Sequence, residues 1–280
     1  MGAIVSSPNW ADSGTITVQS GVGQLLPIGN AQKAWCKGLA RMNAREFYID
    51  VNLGALRRIV CVGLRGLNGN YADATISFSA VAAGGSELGT EFVYYGDSGP
   101  NVGNDWQDTF GTALWWTGAP KFARYVRIAL IMESTPSNDT WTDIRRVWVG
   151  GGFEVAEGVD AGWTLDFVDG STADRSPNGA VFAYPGATWR RMKVALTLRP
   201  ESQLAAVKTA NVGPMWVVLA KIGRGSEVVV APRSMDAGGW YYLGVLHGQL
   251  TEWSPLAFLP GSLASMESAT FEEIPIEPLS

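Results

Sequence analysis

The sequence predicts an all-β protein of about two domains, each a sandwich or a barrel. Short runs of β-branched and aromatic residues recur along the chain and are separated by Gly, Asn, Asp and Ser, which favour turns. The 34 glycines and 14 prolines supply enough of those turns for many short strands. A length of 280 residues exceeds the usual size of one small domain and suggests two.

The first half contains six strand-like runs, at 14–20, 46–53, 58–64, 74–81, 123–131 and 143–149. Between them lie turn-rich loops, of which the longest is expected at 94–121. In the run 123–131, alternation places Arg124, Val126, Ile128 and Leu130 on one face. That face is the more apolar one, so it is expected to line the sandwich.

A triple glycine at 150–152 marks the expected boundary between residues 1–152 and 153–280. The second half is again rich in strand-like runs, which predicts a small β-barrel or sandwich. It also contains one helix candidate at 199–213, centred on 200–212. Pro200 and Glu201 suit a first helical turn, and Gly213 followed by Pro214 ends it.

Charge and hydropathy exclude two classes of partner. The formal net charge is −5, and Lys and Arg are scattered, so no concentrated basic face is available for nucleic acid. No apolar run approaches the 18 or so residues of a membrane span, which argues against membrane insertion. The start of the chain does not resemble a secretory signal, so synthesis in a cytoplasm is expected.

The chain offers few groups for catalysis or metal binding. One histidine and two distant cysteines cannot form the usual zinc sets, and no phosphate-binding glycine loop occurs. The stretch "GDSGP" at 96–100 is similar to a serine-protease nucleophile loop, but His247 lies far downstream rather than upstream. We therefore expect no cofactor, no metal and no enzymatic activity, with an unrecognised hydrolase as an alternative. Cys36 and Cys61 are expected to be buried and reduced.

Aromatic residues provide the candidate binding site. The chain has 12 tryptophans, and aromatic rings serve both protein interfaces and flat platforms for sugars. A cluster in or beside the expected long loop supplies the candidate contacts to a glycan or a partner, namely Tyr94, Tyr95, Trp106, Trp115 and Trp116. The alternative is that these rings cap the sandwich core.

The order of motifs in the first half resembles the discoidin-like, galactose-binding-like jelly roll. That family has a strand of the form I-D-L-G, then I-x-x-V-x-L-x-G, then Ala-Arg-Tyr-Val-Arg-Ile. The matching residues here are Ile49, Asp50, Leu53, Gly54, Ile59, Val62, Leu64, Gly66 and the run 123–128. This resemblance covers about residues 1–152 and implies a jelly-roll β-sandwich. It does not identify ligand residues.

The second half resembles a module of tailed-bacteriophage structural proteins, of the distal-tail type. A Trp-rich strand, Arg175 with Gly179 four residues on, and an Arg-bearing strand occur in that order over about residues 153–275. The resemblance implies a virion structural protein of a tail tip or baseplate, assembled in the host cytoplasm. Its expected partners are other tail or baseplate proteins, further copies of itself in a ring or collar, and a surface glycan. The alternative function is a carbohydrate-binding adhesion module without an assembly role.

Overall fold

The protein is described here from a computed structural model. The structure describes residues 3–68, 70–80, 87–90, 94–95, 112–134, 141–155, 163–176, 178–179, 181–200, 219, 222–231, 245–260 and 263–275. Those residues form mainly β-strands, loops and short 3₁₀ turns. Leu219 and Ile222 are α-helical, but no described residue belongs to a helix of seven or more residues. The predicted all-β fold class is therefore confirmed.

The first half is built on a seven-stranded sheet with the order β11-β5-β9-β6-β7, in which β2 also pairs with β5 and β8 with β9. Its strands are β2 (Thr15–Val18), β5 (Glu46–Arg65), β6 (Asn70–Ser79), β7 (Glu87–Thr90), β8 (Tyr94–Tyr95), β9 (Thr112–Ser134) and β11 (Arg146–Gly150). All pairs are antiparallel. Alternation then puts one face of each strand on the core.

A smaller sheet of three strands completes the first sandwich. Its order is β10-β4-β3, with β3 at Gln24–Leu26, β4 at Ala40–Met42 and β10 at Thr142–Ile144. Three 3₁₀ turns accompany these strands, at Trp10–Ser13, Ile28–Gln32 and Ala34–Cys36. Buried apolar residues from both sheets form one core, to which Met42, Phe47, Ile128 and Val149 contribute.

The predicted runs 46–53 and 58–64 form one strand rather than two. The register of β5 against β9 shifts between Asn52 and Arg57, where Gly54 has φ of +74°. That left-handed conformation is one that glycine adopts without strain, so the chain bulges and continues. All six residues from Ile59 to Leu64 are buried, so this segment is covered on both sides.

Two expectations for β9 need correction. The predicted loop 94–121 is wrong at both ends, because 94–95 form β8 and 112–121 belong to β9, where Thr112 pairs with Arg65. Val126, Ile128 and Leu130 line the core as predicted, but Arg124 is exposed and Ala123 is buried instead. The register shift that interrupts strict alternation along β9 is the same one that forms the bulge in β5.

The second half is built on an eight-stranded sheet with the order β12-β1-β17-β18-β20-β16-β13, in which β19 also pairs with β20. Its strands are β1 (Ala3–Ser6), β12 (Phe153–Val155), β13 (Thr164–Asp169), β16 (Thr188–Pro200), β17 (Glu227–Ala231), β18 (Leu246–Trp253), β19 (Leu256–Leu259) and β20 (Leu263–Glu273). A short 3₁₀ turn at Gly223–Gly225 precedes β17. Among the described strands the two ends of this sheet are not paired with each other, so closure into a barrel stays a prediction.

The N-terminal strand β1 belongs to the sheet of the second half. It lies between β12 and β17, with Val5 opposite Phe153 and Val230. At Gly152, φ is +125° and an added Cβ would overlap the carbonyl oxygen of Val5, so a side chain has no room there.

The expected boundary near residue 152 stays a prediction. The predicted helix falls mostly on 201–213, outside the described residues, while 199–200 close β16.

A two-stranded extension, which we call the arm, consists of β14 (Thr172–Arg175) and β15 (Val181–Tyr184). It continues the β13–β16 ladder, because the amide of Gly170 donates to the carbonyl of Ala187 at 2.9 Å. All eight residues of the two strands are exposed. The arm therefore contributes nothing to the core beneath it.

The two halves meet along a buried interface that we call the seam. Its apolar part is a cluster drawn from both halves, consisting of Val60, Cys61, Trp148, Val229, Ala231 and Val245. Cys36 and Cys61 are both buried and not disulfide-bonded, which confirms the predicted reduced state. Burial raises the pKa of the Cys61 thiol to about 12.

The polar part of the seam is centred on Arg146, which is 1% exposed. Its guanidinium donates to Asp12 Oδ2 at 2.8 Å, to the carbonyl of Gln32 at 2.6 Å and to Glu227 of the second half. Glu227 also accepts a hydrogen bond from the backbone amide of Trp35 at 2.6 Å. A charge from each half is thus buried against its opposite.

A second buried guanidinium, that of Arg65, lies farther along the seam. It donates to the carbonyl oxygens of His247 and Ile274, and to Glu273 Oε1 at 3.2 Å. Arg190 donates to both oxygens of the same carboxylate, at 2.6 and 2.9 Å. The first half therefore supplies donors for backbone oxygens that the second half buries.

We predict that acidification weakens the fold through His247, the only histidine of the chain. Burial, followed by the charges of Arg65 and Arg146, holds the His247 pKa well below its usual range. Below about pH 6.5 the unfolded chain therefore binds a proton that the folded chain does not, and stability falls as pH falls. The slope contributed by this group is at most about 1.4 kcal/mol per pH unit.

Denaturant unfolding of the wild type and of His247→Gln between neutral and mildly acidic pH measures this effect. Taking the difference between the two proteins removes the opposing contribution of Glu227, whose pKa burial raises. The wild type should lose more stability than the variant. Equal losses in both proteins would show that His247 does not titrate on unfolding.

Candidate functional site

The structure describes four of the five predicted contact residues, through backbone register. Tyr94 lies opposite Trp115, and Trp115 lies opposite Val62, whose side chain is fully buried. Tyr95 lies opposite Leu114. Adjacent strands therefore bring these aromatic positions together at one end of the sheet. Their role as glycan or partner contacts stays a prediction.

The other two candidate contact residues, Trp116 and Trp106, are not brought together by the described strands. Trp116 lies opposite Cys61, which is fully buried. Trp106 lies outside the described residues, as does the stretch at 96–100 that is similar to a protease loop. The core-capping alternative for the aromatic cluster thus remains open beside the ligand-contact hypothesis.

The outer face of the same sheet carries a different set of aromatic and charged side chains, which we call the tyrosine face. It consists of Tyr48, Asp50 and Asn52 of β5 and Arg124, Tyr125 and Arg127 of β9. The register places Asp50 opposite Arg127 and Asn52 opposite Tyr125. Val126 and Ile128 point into the core, so alternation turns Tyr125 and Arg127 outward.

A two-pronged ion pair forms the centre of the tyrosine face. Arg127 donates from Nε to Asp50 Oδ1 at 2.7 Å and from its terminal nitrogen to Oδ2 at 2.8 Å. The same guanidinium stacks on Tyr48, with its central carbon 3.9 Å from the ring centroid. Both partners of the ion pair stay about a third exposed. This geometry fixes the orientation of polar groups that solvent can still reach.

Beside this pair, Arg124 and Asn52 flank Tyr125. The Arg124 guanidinium lies 5.3 Å from the Tyr125 ring centroid, and its Nε is 3.4 Å from Asn52 Oδ1. The same amide oxygen accepts from the backbone of Gly54 at 3.0 Å, which ties Asn52 to the bulge in β5. The bulge therefore positions a polar side chain next to an aromatic one.

The tyrosine face combines the groups that saccharide recognition uses. Aromatic rings offer an apolar surface to the C–H face of a sugar ring, while fixed carboxylate, amide and guanidinium groups bond its hydroxyls. Serines and threonines of the neighbouring strands extend the polar rows, since Thr17 pairs with Asp50 and Ser77 with Arg127. The arrangement can hold a flat polar ligand.

The sequence contained part of the signal for this face. Alternation along the run 123–131 predicts that Tyr125 and Arg127 share the side opposite the apolar face, but their sequence pattern alone does not indicate a site. Tyr48 and Asp50 alternate in the same way in β5. Their cross-strand partners could not be read from sequence, because they lie 77 residues apart in the case of Asp50 and Arg127.

One arrangement that sequence reasoning missed is similar to a catalytic set. Cys36 Sγ lies 3.8 Å from His247 Nδ1, and His247 Nε2 lies 3.6 Å from Glu227 Oε1. Burial raises the pKa of the Cys36 thiol and lowers the pKa of His247. A nucleophilic cysteine needs the opposite shifts, so these residues are part of the seam rather than an activated thiolate.

Neither a metal cluster nor a membrane helix is found among the described residues. Within them, no group of three or more His, Cys, Asp and Glu side chains could hold an ion. In the same part of the chain, no helix is long and apolar enough to cross a membrane.

Comparisons with known proteins give similar structures but no family. No protein-family model matches the chain, and no curated protein matches it significantly. Among solved structures, the family 32 carbohydrate-binding module from C. perfringens NanJ, in complex with galactose, is 15% identical. It covers 54% of this chain and 100% of its own, with a TM-score of 0.36.

Two further similar structures are also carbohydrate-binding by name. Chitosan-binding module 1 of the chitosanase/glucanase from Paenibacillus sp. IK-5 is 19% identical, covers 52% of this chain and 100% of its own, and has a TM-score of 0.38. The lectin domain of lectinolysin, complexed with Lewis B antigen, is 17% identical, covers 51% and 96%, and has a TM-score of 0.37. These similarities are too low to assign a family. None of the three is a phage tail protein by name.

Proposed function

We propose that this chain is a non-catalytic glycan-binding protein and that the tyrosine face of its first sandwich holds the sugar. The observation that supports the proposal most is the bidentate Asp50–Arg127 ion pair, which packs against Tyr48 and lies next to Tyr125. A preorganised polar centre between aromatic side chains loses little side-chain entropy when a ligand binds. Because the face lies on paired strands, it keeps this geometry without a ligand.

In this proposal a sugar ring lies against Tyr125, and the ion pair and Asn52 bond its hydroxyls. Asp50 accepts hydrogen bonds, while Arg127 and Arg124 donate them. The aromatic positions Tyr94, Tyr95, Trp106, Trp115 and Trp116 remain the competing site for the same ligand. The two sites differ in the variants that abolish binding.

The test is a glycan array followed by titration of the best ligand. Tyr125→Ala should weaken binding about fivefold, since one stacked ring contributes on the order of 1 kcal/mol. Asp50→Asn should weaken it as well, because Arg127 loses one of its two bonds. Tyr184→Ala, which removes an exposed tyrosine from the arm, should bind normally.

Three results would contradict this assignment. If the protein bound no glycan, the proposed function would be wrong. If Tyr125→Ala and Asp50→Asn bound as tightly as the wild type, the proposed site would be wrong. Loss of binding in Trp106→Ala or Trp115→Ala alone would favour the aromatic cluster instead. Circular dichroism of each variant verifies that the fold is retained.

A second candidate function is self-assembly, for which the arm is the supporting observation. Val181, Phe182 and Tyr184 are 56%, 53% and 55% exposed, and Phe167 at the base of the arm is 49% exposed. A two-stranded ribbon without a packed face is marginally stable in water, and exposed apolar groups of this kind mark interaction surfaces. A second copy of the chain is the proposed partner.

Because the second half resembles a module of phage tail proteins, the expected assembly is a ring or collar in a phage tail tip or baseplate. Contacts between unlike surfaces of identical copies produce rings when the rotation closes. Glycan binding and assembly are compatible, because the tyrosine face and the arm belong to different halves of the chain.

We predict that Phe182→Ser combined with Tyr184→Ser shifts the protein toward monomer. Light scattering over a range of concentrations measures the change, which follows from the loss of two exposed rings from the contact. Leu25→Ser is the matched control, since Leu25 is 57% exposed but belongs to the first sandwich. A wild type that stays monomeric at every concentration would contradict assembly through the arm.

A further inference from the structure

A trough of about 420 Å³ lies on the second sheet, away from the tyrosine face. Met192 and Val194 of β16 point into the core of the second half, so the residue between them, Lys193, points outward into the trough. Every lining residue carries a hydroxyl or a charge, namely Thr164, Asp166, Arg191, Lys193, Arg224, Thr251, Glu252, Thr270 and Glu272.

One row across the trough places an ammonium between two hydroxyls. Lys193 lies opposite Thr164 of β13 on one side and opposite Thr270 of β20 on the other. Arg224, from the 3₁₀ turn before β17, lines the same space. Among the described residues neither Lys193 nor Arg224 has an ion-pair partner, and both are exposed. These cations are therefore available to a ligand.

The neighbouring row contains more carboxylates than cations. Arg191 lies between Asp166 and Glu272 in register, and its Nε donates to Glu272 Oε1 at 2.8 Å. Asp166 accepts from the amide of Phe167 at 2.8 Å. This row holds two carboxylates for one guanidinium, so it presents hydrogen-bond acceptors. Glu252 lies in the Lys193 row instead, opposite Thr270, and places a negative charge at the far end of that row.

We propose that the trough is a second ligand site, for a saccharide that carries an acidic group. The anion lies at Lys193 and Arg224, where the hydroxyls of Thr164 and Thr270 add hydrogen bonds, and the sugar hydroxyls lie along the carboxylate row. An oxyanion is bound most strongly by charged donors combined with neutral ones in fixed positions. A neutral sugar leaves both cations without an anion, and a simple inorganic anion does not use the remaining acceptor positions of the carboxylate row.

Calorimetric titration of the full chain with an oligogalacturonate tests the proposal, with a neutral oligosaccharide of equal length and with sodium sulfate as parallel probes. Oligogalacturonate should bind, and Lys193→Gln with Arg224→Gln should weaken it about tenfold or more. Lys37→Gln, an exposed lysine of the first sandwich, should leave binding unchanged. Tyr125→Ala should also leave it unchanged, which separates this site from the tyrosine face.

Neutralising the Glu252 carboxylate supplies a second check. Glu252→Gln should bind oligogalacturonate at least as tightly as the wild type, because one repulsive charge is removed from the trough. Equal affinity of the Lys193 and Arg224 variants and the wild type would overturn the proposal. It would also be overturned if the neutral oligosaccharide bound as tightly as the acidic one, or if sulfate alone matched the oligogalacturonate.

Discussion

The structure depends on the burial of two arginine side chains between its halves. Arg146 and Arg65 are 1% and 2% exposed, and a guanidinium out of water is tolerated only when charges and carbonyl oxygens surround it. Glu227 and Glu273 of the second half supply those charges. Separating the halves would take Glu273 from Arg65 and Arg146 from Glu227, whereas Arg146 would keep Asp12 and Glu273 would keep Arg190. The cost of losing partners at Arg65 and Glu227 holds the two sheets in one orientation.

Several local features follow from the seam. Trp35 and Cys36 have φ of +63° and +51°, a left-handed conformation that costs energy in residues other than glycine. The Trp35 amide is bonded to Glu227, so a contact across the seam holds the strained turn. β1 also joins the two halves, because it pairs in the sheet of the second half and the chain then continues into the first sandwich. The tyrosine face, the trough and the arm are therefore presented by one unit.

The sequence predicts what is local and misses what is distant. Alternation of apolar residues predicted the strand-like runs of the first half and the core-facing positions Val126, Ile128 and Leu130 of β9. It could not reveal the bulge at Gly54, because "LGAL" has the composition of a turn as well as of an irregular strand. The seam pairs were also invisible, since Arg146 and Glu227 lie 81 residues apart and Arg65 and Glu273 lie 208 residues apart. For the candidate site, the aromatic content predicts contacts to a glycan or to a partner, with core capping as the alternative. The Asp50–Arg127 pair at the centre of the tyrosine face can be found only from the cross-strand register.

The most direct measurement of the seam is differential scanning calorimetry of the full chain at neutral pH. If buried charges join the halves, they unfold together in one transition whose calorimetric and van't Hoff enthalpies agree. Two separated transitions, each with the enthalpy of about half the chain, would contradict the claim that the seam makes one unit of the two sheets.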